Sequence, residues 1–445
     1  MSFARGSRRS VSGAPGVCDH GLSDEPDAVA SGRPQGWNRF DLSADEIRQR
    51  MRWASATGRA TWLWPDIQIG DWRDTLERIE GVVRNILEGH ASAWLDGDEQ
   101  ALGLACYTSG VGPLLGWWLR QGRLAAPPPV AALLELHLQH NLERHAQVQQ
   151  AALDGVRAIR AGGVGVLVLK GLHTGTDYFP HPATRPASDI DLLVSPADAP
   201  AAENVLRQNG FLEWERNARE SSWALAGMAR LPRSLMLAHA ENPWSIDLHS
   251  SLDIGVGTGS PPATLSRADP MRSPRRWSGE PSAQVLDQPL LALHLAVHAG
   301  AGLHSLSLLR LIELHLVVTQ DSKAGLLSWA EFLALGARTD ALGFAFPGLQ
   351  LCEQLVPGTV PAFVLERCRA AAPARARKVV ARLTPATAQR VERNWISEHY
   401  MWVRGARGWA RQLIWDFFPS VSSWKAFWTI YQRRWWRLVR GRIGA

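Results

Sequence analysis

Apolar residues recur every three to four positions along the first third of the chain and again along its C-terminal half. This period predicts helices over residues 46–56, 72–95, 101–119 and 130–159. The same period returns from residue 284 to about residue 369. The two helical regions therefore flank a central segment in which the pattern is different.

The central segment contains short apolar runs that are typical of strands. Residues 164–169 (Val-Gly-Val-Leu-Val-Leu) are bounded by glycines, as in a strand that is buried on both faces. Residues 188–194 form a second run, with acids at alternate positions, and residues 244–248 form a third. A helix over residues 199–209, ended by Gly210, separates the second run from the third. The pattern predicts an α+β protein that is predominantly helical.

Composition and patterning together divide the chain into six segments. They are a disordered leader (1–40), an N-terminal helical region (41–134), a core that carries the strands (135–255), a loop (256–283), a C-terminal helical region (284–394) and a cationic tail (395–445). The leader has no apolar segment typical of a signal peptide, and no stretch reaches the roughly 18 apolar residues of a membrane span. The four cysteines are scattered, as in reduced cytosolic proteins. These features favour a cytoplasmic protein.

The positive charge of the chain is concentrated at its C-terminus. The whole chain has 48 Lys and Arg against 42 Asp and Glu, a net charge of +6. Residues 401–445 contain nine of the basic residues, one acid and seven of the 21 Trp. The rest of the chain has a net charge of −2, which disfavours a nucleic acid as its substrate.

Three interpretations of this tail stay open. It could dock on the body as a helix whose Arg stems cover apolar surface. It could instead contact an anionic membrane, such as the inner membrane surface, as a peripheral element. It could also bind nucleic acid through phosphate contacts and stacking.

Three acids stand on the predicted strands. Asp189 and Asp191 are two residues apart, so in a strand they project from the same face. Neighbouring carboxylates repel each other unless a cation lies between them, and a hard divalent ion prefers such oxygen ligands. Asp247 completes a three-carboxylate cluster if its strand lies beside the first. His249 faces the same side as Asp247 and is a candidate contact to the acids or to a substrate.

Groups suited to phosphate precede these acids. Lys170 and Gly171 follow the strand over residues 164–169, and a glycine there lets backbone amides approach an anion. Arg185 offers a guanidinium for bidentate contact with phosphate. His294 and His298 share a helix face, but Leu295 stands where a zinc protease has its Glu, so the pair predicts a buried face.

The residues at 169–171, 185–194 and 246–249 together resemble an uncharacterised nucleotidyltransferase family of the DNA polymerase β-like superfamily. The resemblance covers about residues 135–320, and Arg-x-x-Ser-Asp-Ile-Asp-Leu-Leu-Val is its most specific part. It implies a small mixed sheet flanked by helices. It also implies a Mg²⁺-dependent (or Mn²⁺-dependent) transferase that moves a nucleoside monophosphate from an NTP, such as ATP, to an acceptor hydroxyl and releases pyrophosphate.

The resemblance also implies roles for individual residues. Asp189 and Asp191 would hold the metal that binds the triphosphate, and Asp247 would join them on a second metal and orient or deprotonate the acceptor hydroxyl. The predicted nucleotide-binding residues are Lys170, Gly171, Arg185 and Ser188. In one departure, the superfamily usually has a Ser after the glycine, whereas this chain has Leu172. Lys170, Thr174 or backbone amides would then have to hold the terminal phosphates.

Two classes of function stay open. The first is a transferase acting on a small molecule, a sugar, a peptide or a protein. The second is a catalytically inactive module that retains the fold for nucleotide binding or protein interaction. Leu172 favours the second class. The three mutually repelling acids favour the first, because a purely structural module has no use for them.

Overall fold

The computed structural model describes residues 42–57, 60–64, 66–94, 99–217, 219–257, 260–303, 305–389 and 400–417. The predicted leader and most of the cationic tail lie outside the described residues. Among the helices that are described, none is both long enough and apolar enough to cross a membrane.

Helices form the N-terminal part of the described chain, as the apolar period predicts. They are α1 (Ala44–Thr57), α2 (Ile69–Leu87), α3 (Glu99–Ser109), α4 (Gly112–Arg120) and α5 (Pro128–Ala161). The prediction of one helix over residues 101–119 is wrong, because α3 and α4 are separate and Gly110 between them has a φ of +76°. Two short strands, β1 (Ser92–Ala93) and β2 (Leu124–Ala125), pair in parallel beside these helices.

A mixed sheet of seven strands forms the centre of the described chain. Its strands are β3 (Leu167–Val168), β4 (Asp189–Leu193), β5 (Phe211–Arg216), β6 (Glu220–Leu225), β7 (Ser245–His249), β8 (Arg276–Trp277) and β9 (Glu280–Val285). Their spatial order is β5-β6-β7-β4-β3-β9-β8. The pairs β4–β7 and β3–β9 are parallel and the other pairs are antiparallel. The mixed sheet and the helices around it confirm the predicted α+β class.

Four of these strands are absent from the sequence prediction. In β5 only Phe211 is buried, so the alternation that marks a half-buried strand is missing. The strands β8 and β9 lie largely within residues 256–283, where a loop is predicted, and this prediction is wrong. The only buried side chains of β9 are Ala283 and Val285, and its ladder with β3 holds it in the sheet. The strands β8 and β9 are held mainly by main-chain hydrogen bonds. A segment rich in Pro, Ser and Gly gives no side-chain pattern that would predict such pairing.

The remaining helices pack on the sheet and on each other. They are α6 (Leu172–Tyr178), α7 (Ala199–Gln208), α8 (Leu290–Ala301), α9 (Leu308–Lys323), α10 (Trp329–Arg338), α11 (Leu342–Leu355), α12 (Ala362–Ala371), α13 (Ala374–Val380) and α14 (Gly405–Phe417). The helix α8 is buried along almost its whole length, which agrees with the buried face predicted from its two histidines.

The two faces of the sheet pack against different cores. Ile190 and Leu192 of β4 belong to a cluster with α5 and α7, together with Ile246 and Leu248 of β7. Leu193, on the opposite face of β4, belongs to the larger cluster that includes α8, α9 and α11. The alternate residues of β4 therefore face different halves of the protein, and the acids of this strand lie on the face that meets the C-terminal helices.

The contact between α8 and α11 gives a test of this packing. A Cβ atom added to Gly300 would lie 1.8 Å from the carbonyl oxygen of Phe344, so the backbones could not keep this distance. We expect Gly300→Ala to lower the free energy of unfolding by about 3 kcal/mol in urea titrations. Gly81 in α2 has open space around it, and Gly81→Ala is expected to raise stability by about 0.5–1 kcal/mol. Equal stabilities of the two variants would contradict this packing.

Candidate active site

The structure brings the three predicted acids together. β4 and β7 are parallel neighbours, and Asp191 lies directly opposite Asp247 in their register. Each of Asp189, Asp191 and Asp247 offers a carboxylate oxygen, and these three oxygens lie within 4.8 Å of one another. The spacing is short enough for one ion to contact more than one of them.

Alternation along the two strands explains why the acids meet. Ile190 and Leu192 are fully buried on one face of β4, and Ile246 and Leu248 are buried at the same positions of β7. The acids at the intervening positions must therefore face the other way. A shift of one residue in register would turn the acids into the apolar core, so burial of the four aliphatic side chains fixes the register.

Asp191 is the acid whose charge is compensated. Its carboxylate accepts from Lys170 Nζ at 2.5 Å and from His249 Nε2 at 3.0 Å. Burial alone would raise the pKa of Asp191, but Lys170 and His249 outweigh burial and hold this pKa well below its usual range. His249 in turn contacts Glu220 of β6 through Nδ1 at 3.1 Å. Burial disfavours its charged form, yet the two carboxylates raise the pKa of His249 to about 9.

The other two acids lack such compensation. The Asp189 carboxylate makes no hydrogen bond or ion pair with the described residues, and burial together with the charge of Asp191 raises the pKa of Asp189. Asp247 accepts from the hydroxyl of Ser245 at 3.1 Å, and burial with the two neighbouring acids raises its pKa to about 6. The cluster therefore carries negative charge that its protein contacts do not neutralise. A divalent cation with oxygen ligands fits this donor set.

The predicted phosphate-binding residues lie beside the acids, and a helix residue organises them. Gly171 has a φ of +84°, and the turn there brings Lys170 to Asp191. Arg185 donates two hydrogen bonds of 2.9 Å to Glu313 of α9, and the Thr174 hydroxyl donates to the same carboxylate. Glu313 is absent from the sequence prediction. Glu313 could have been noticed as a charged residue inside an otherwise apolar helical run. Such a residue is buried, and a buried charge needs a partner.

A cleft opens between the sheet and the C-terminal helices. Its empty space is about 670 Å³ when the volume at its open mouth is counted. From the sheet side it is lined by Lys170, Arg185, Ser188 and Asp189, among others, and from the helices by Leu295, His298, Ser307, Leu309, Arg310 and Glu313. Three of the four predicted nucleotide-binding residues thus share a cleft with one of the acids.

Arg144 of α5 holds the loops that lead into both acid-bearing strands. Its buried guanidinium donates to the carbonyl of Ala187, just before β4, at 3.3 Å. It also donates to the carbonyls of Asn242 and Pro243, just before β7, the latter at 2.9 Å. No short-range pattern in the sequence marks this residue, because its three acceptors are backbone atoms far along the chain.

Acids on neighbouring strands of a mixed sheet, beside a cleft, agree with the nucleotidyltransferase class that the sequence resemblance implies. The chain belongs to the uncharacterised nucleotidyltransferase family, whose sequence profile matches residues 97–357. The resemblance recognised in the sequence is therefore confirmed, and the match runs from before α3 to just beyond α11. No curated protein and no solved structure matches the chain. The roles of the individual site residues and the segment boundaries stay predictions.

Replacement of Arg144 tests how the two loops are held. Arg144→Met removes three charge-assisted hydrogen bonds and leaves their carbonyls without this donor. We expect the free energy of unfolding to fall by about 2–4 kcal/mol, measured by urea denaturation. Arg157 lies on the same helix and forms an ion pair with Glu280 in which the Arg157 side chain is 58% exposed, so Arg157→Met should cost less than about 1 kcal/mol. Similar losses in the two variants would argue against the proposed role of Arg144.

Proposed function

We propose that the protein is a Mg²⁺-dependent nucleotidyltransferase that transfers a nucleoside monophosphate from an NTP to an acceptor hydroxyl and releases pyrophosphate. The observation that carries this proposal is the convergence of three carboxylates, within 4.8 Å, on the sheet face beside the cleft. Membership of a nucleotidyltransferase family supports it. Mn²⁺ has the same preference for oxygen ligands and is the alternative ion.

The acids divide the chemistry between them. Asp189, Asp191 and Asp247 would hold divalent ions, which when bound neutralise phosphate charge and stabilise the attacking and leaving oxygens. Asp247 would also orient the acceptor hydroxyl or take its proton. The hydroxyl oxygen would form a bond to the α-phosphorus as the bond from this phosphorus to the bridging oxygen breaks. The electron pair of the broken bond leaves with pyrophosphate.

Lys170 and Arg185 would lie close to the phosphates, but each already forms an ion pair with a carboxylate of the protein. Lys170 holds Asp191 ionised through their 2.5 Å contact, so its first role is to keep a metal ligand in position. Arg185 is held by Glu313, which fixes its guanidinium at the wall of the cleft. The exposed Ser188 hydroxyl would supply a further hydrogen bond to the nucleotide. The Gly171 amide already donates to the Thr174 hydroxyl at 3.1 Å, so the contribution of Gly171 would be the turn that positions Lys170.

One structural observation favours the inactive module as a second candidate. Leu172 is buried in the sheet core and cannot replace the hydroxyl that the wider superfamily places after this glycine. In this alternative the fold would bind a nucleotide or a protein without turnover. A small molecule, a sugar, a peptide or a protein is the proposed acceptor in the catalytic case, and the near-neutral body makes a nucleic acid the less suitable one. Location in the cytoplasm is part of the proposal.

Transfer of label from each α-labelled NTP tests the activity. The protein is incubated with Mg²⁺ or Mn²⁺ and with a desalted cell extract as the source of acceptors. We expect Asp189→Asn/Asp191→Asn to lower transfer by about a thousandfold, since bound ions are worth several kcal/mol in the transition state. Asp154→Asn, an exposed change on α5, is the control and should be unaffected. Label transfer that survives the double substitution would overturn the proposal, and NTP binding without any transfer would favour the inactive module.

Thermal unfolding tests the metal site without turnover. We expect Mg²⁺ to stabilise the wild type, by about 2.7 kcal/mol when its concentration is 100-fold above its dissociation constant. Asp189→Asn removes a ligand and relieves repulsion from Asp191, so this variant should be at least as stable as the wild type in a chelator. Its response to Mg²⁺ should be lost. An equal response of the wild type and Asp189→Asn would contradict a metal site at these acids.

A further inference from the structure

Arg310 is a cation of the cleft that is absent from the sequence prediction. It is the third residue of α9, and its side chain lines the cleft together with Lys170, Arg185 and Asp189. Its guanidinium makes no hydrogen bond and no ion pair with the residues that the structure describes. Its backbone amide donates to the carbonyl oxygen of Ser307 at 3.1 Å.

The other two cations of the cleft are in a different state. Lys170 is 2.5 Å from a carboxylate oxygen of Asp191, and Arg185 makes two hydrogen bonds of 2.9 Å to Glu313. Each of these charges is therefore matched by a carboxylate in direct contact. Among the described Lys and Arg side chains that line the cleft, the Arg310 guanidinium is the one without a carboxylate contact, so all five of its N–H donors remain available to a ligand.

The surroundings of Arg310 make an unmatched guanidinium costly. Burial lowers the pKa of Arg310, and Asp189 and Glu313 offset this only in part without touching the side chain. Burying a charged group costs free energy unless the group is paired and hydrogen-bonded. The planar guanidinium offers five N–H donors in a geometry that matches phosphate oxygens. An anion with several oxygen atoms would therefore pair with the Arg310 guanidinium and stabilise its charge.

The first turn of α9 also favours an anion beside Arg310. Ser307 is the N-cap residue of this 16-residue helix, and its side chain makes no capping hydrogen bond. Ser307 and Leu309 line the cleft beside Arg310. The first turn of a helix has backbone N–H groups without partners in the helix and a positive dipole end, which both favour an anion. Two independent features of the helical wall therefore point to the same kind of ligand.

We propose that Arg310 and the first turn of α9 bind the terminal phosphates of the nucleotide and so make the site selective for a triphosphate over a monophosphate. This inference rests on the proposed function. Asp189 lines the same cleft, so an anion at Arg310 lies beside a proposed metal ligand. The assignment moves phosphate binding from the position after Gly171, where Leu172 is buried, to the helical wall.

Binding measured by calorimetry tests the assignment with inorganic tripolyphosphate, an NTP and the matching NMP, each in Mg²⁺. For Arg310→Gln we expect the dissociation constants of tripolyphosphate and the NTP to rise about 10- to 100-fold, as for loss of charge-assisted hydrogen bonds. The NMP should be little affected. Arg310→Lys, which keeps the charge without the planar fork, should lie between. Arg338→Gln, an exposed change on α10, is the matched control and should bind as the wild type does.

The outcomes separate this inference from the proposed function. One outcome is that the wild type binds tripolyphosphate and the NTP with the same dissociation constants as Arg310→Gln and Arg310→Lys. In that case the assignment of Arg310 is wrong and the proposed function stands. Equal losses for the NTP and the NMP would also overturn it, since they indicate general damage to the cleft. If the wild type binds neither tripolyphosphate nor any NTP, both the assignment and the proposed function fail. Thermal unfolding of each variant verifies that it is folded.

Discussion

The parallel pairing of β4 with β7 is the constraint on which the site depends, because it sets Asp191 opposite Asp247 on a partly buried face. Four buried aliphatic side chains on the other face fix this register, so the hydrophobic core determines where the acids meet. The resulting repulsion is only partly relieved, by Lys170 and His249 at Asp191. The fold thus keeps a local electrostatic cost that a bound cation would remove.

The residues around the acids tie the helical half to the sheet. Glu313 reaches from α9 to Arg185 and to Thr174, so both walls of the cleft share one buried carboxylate. Arg144 reaches from α5 to the loops before β4 and β7. The geometry of the acids therefore depends on helices on both sides of the sheet. The matching family profile covers these helices as well as the strands.

The acid cluster was predictable from the sequence because it depends on alternation within two short strands. Asp189, Asp191 and Asp247 each stand beside aliphatic residues, and the period of two fixes the faces. The partners of this cluster were not predictable in the same way. Glu220 contacts His249 because β6 pairs with β7, and no local sequence pattern predicts this pairing. Arg310 and Glu313 did leave a signal, as charges within an apolar helix, but Arg185, the partner of Glu313, lies far away along the chain.

The burial of Leu172 connects the departure from the superfamily pattern with the charge distribution in the cleft. Because Leu172 packs in the sheet core, the turn after Gly171 has no side-chain hydroxyl at that position for a phosphate. The two cations nearest this turn, Lys170 and Arg185, are held by carboxylates. An unmatched cation is found instead across the cleft, on α9. If phosphates bind there, they must span from the acids on the sheet to Arg310 on the helices. Nucleotide binding would then add a link between the same two walls that Glu313 already joins.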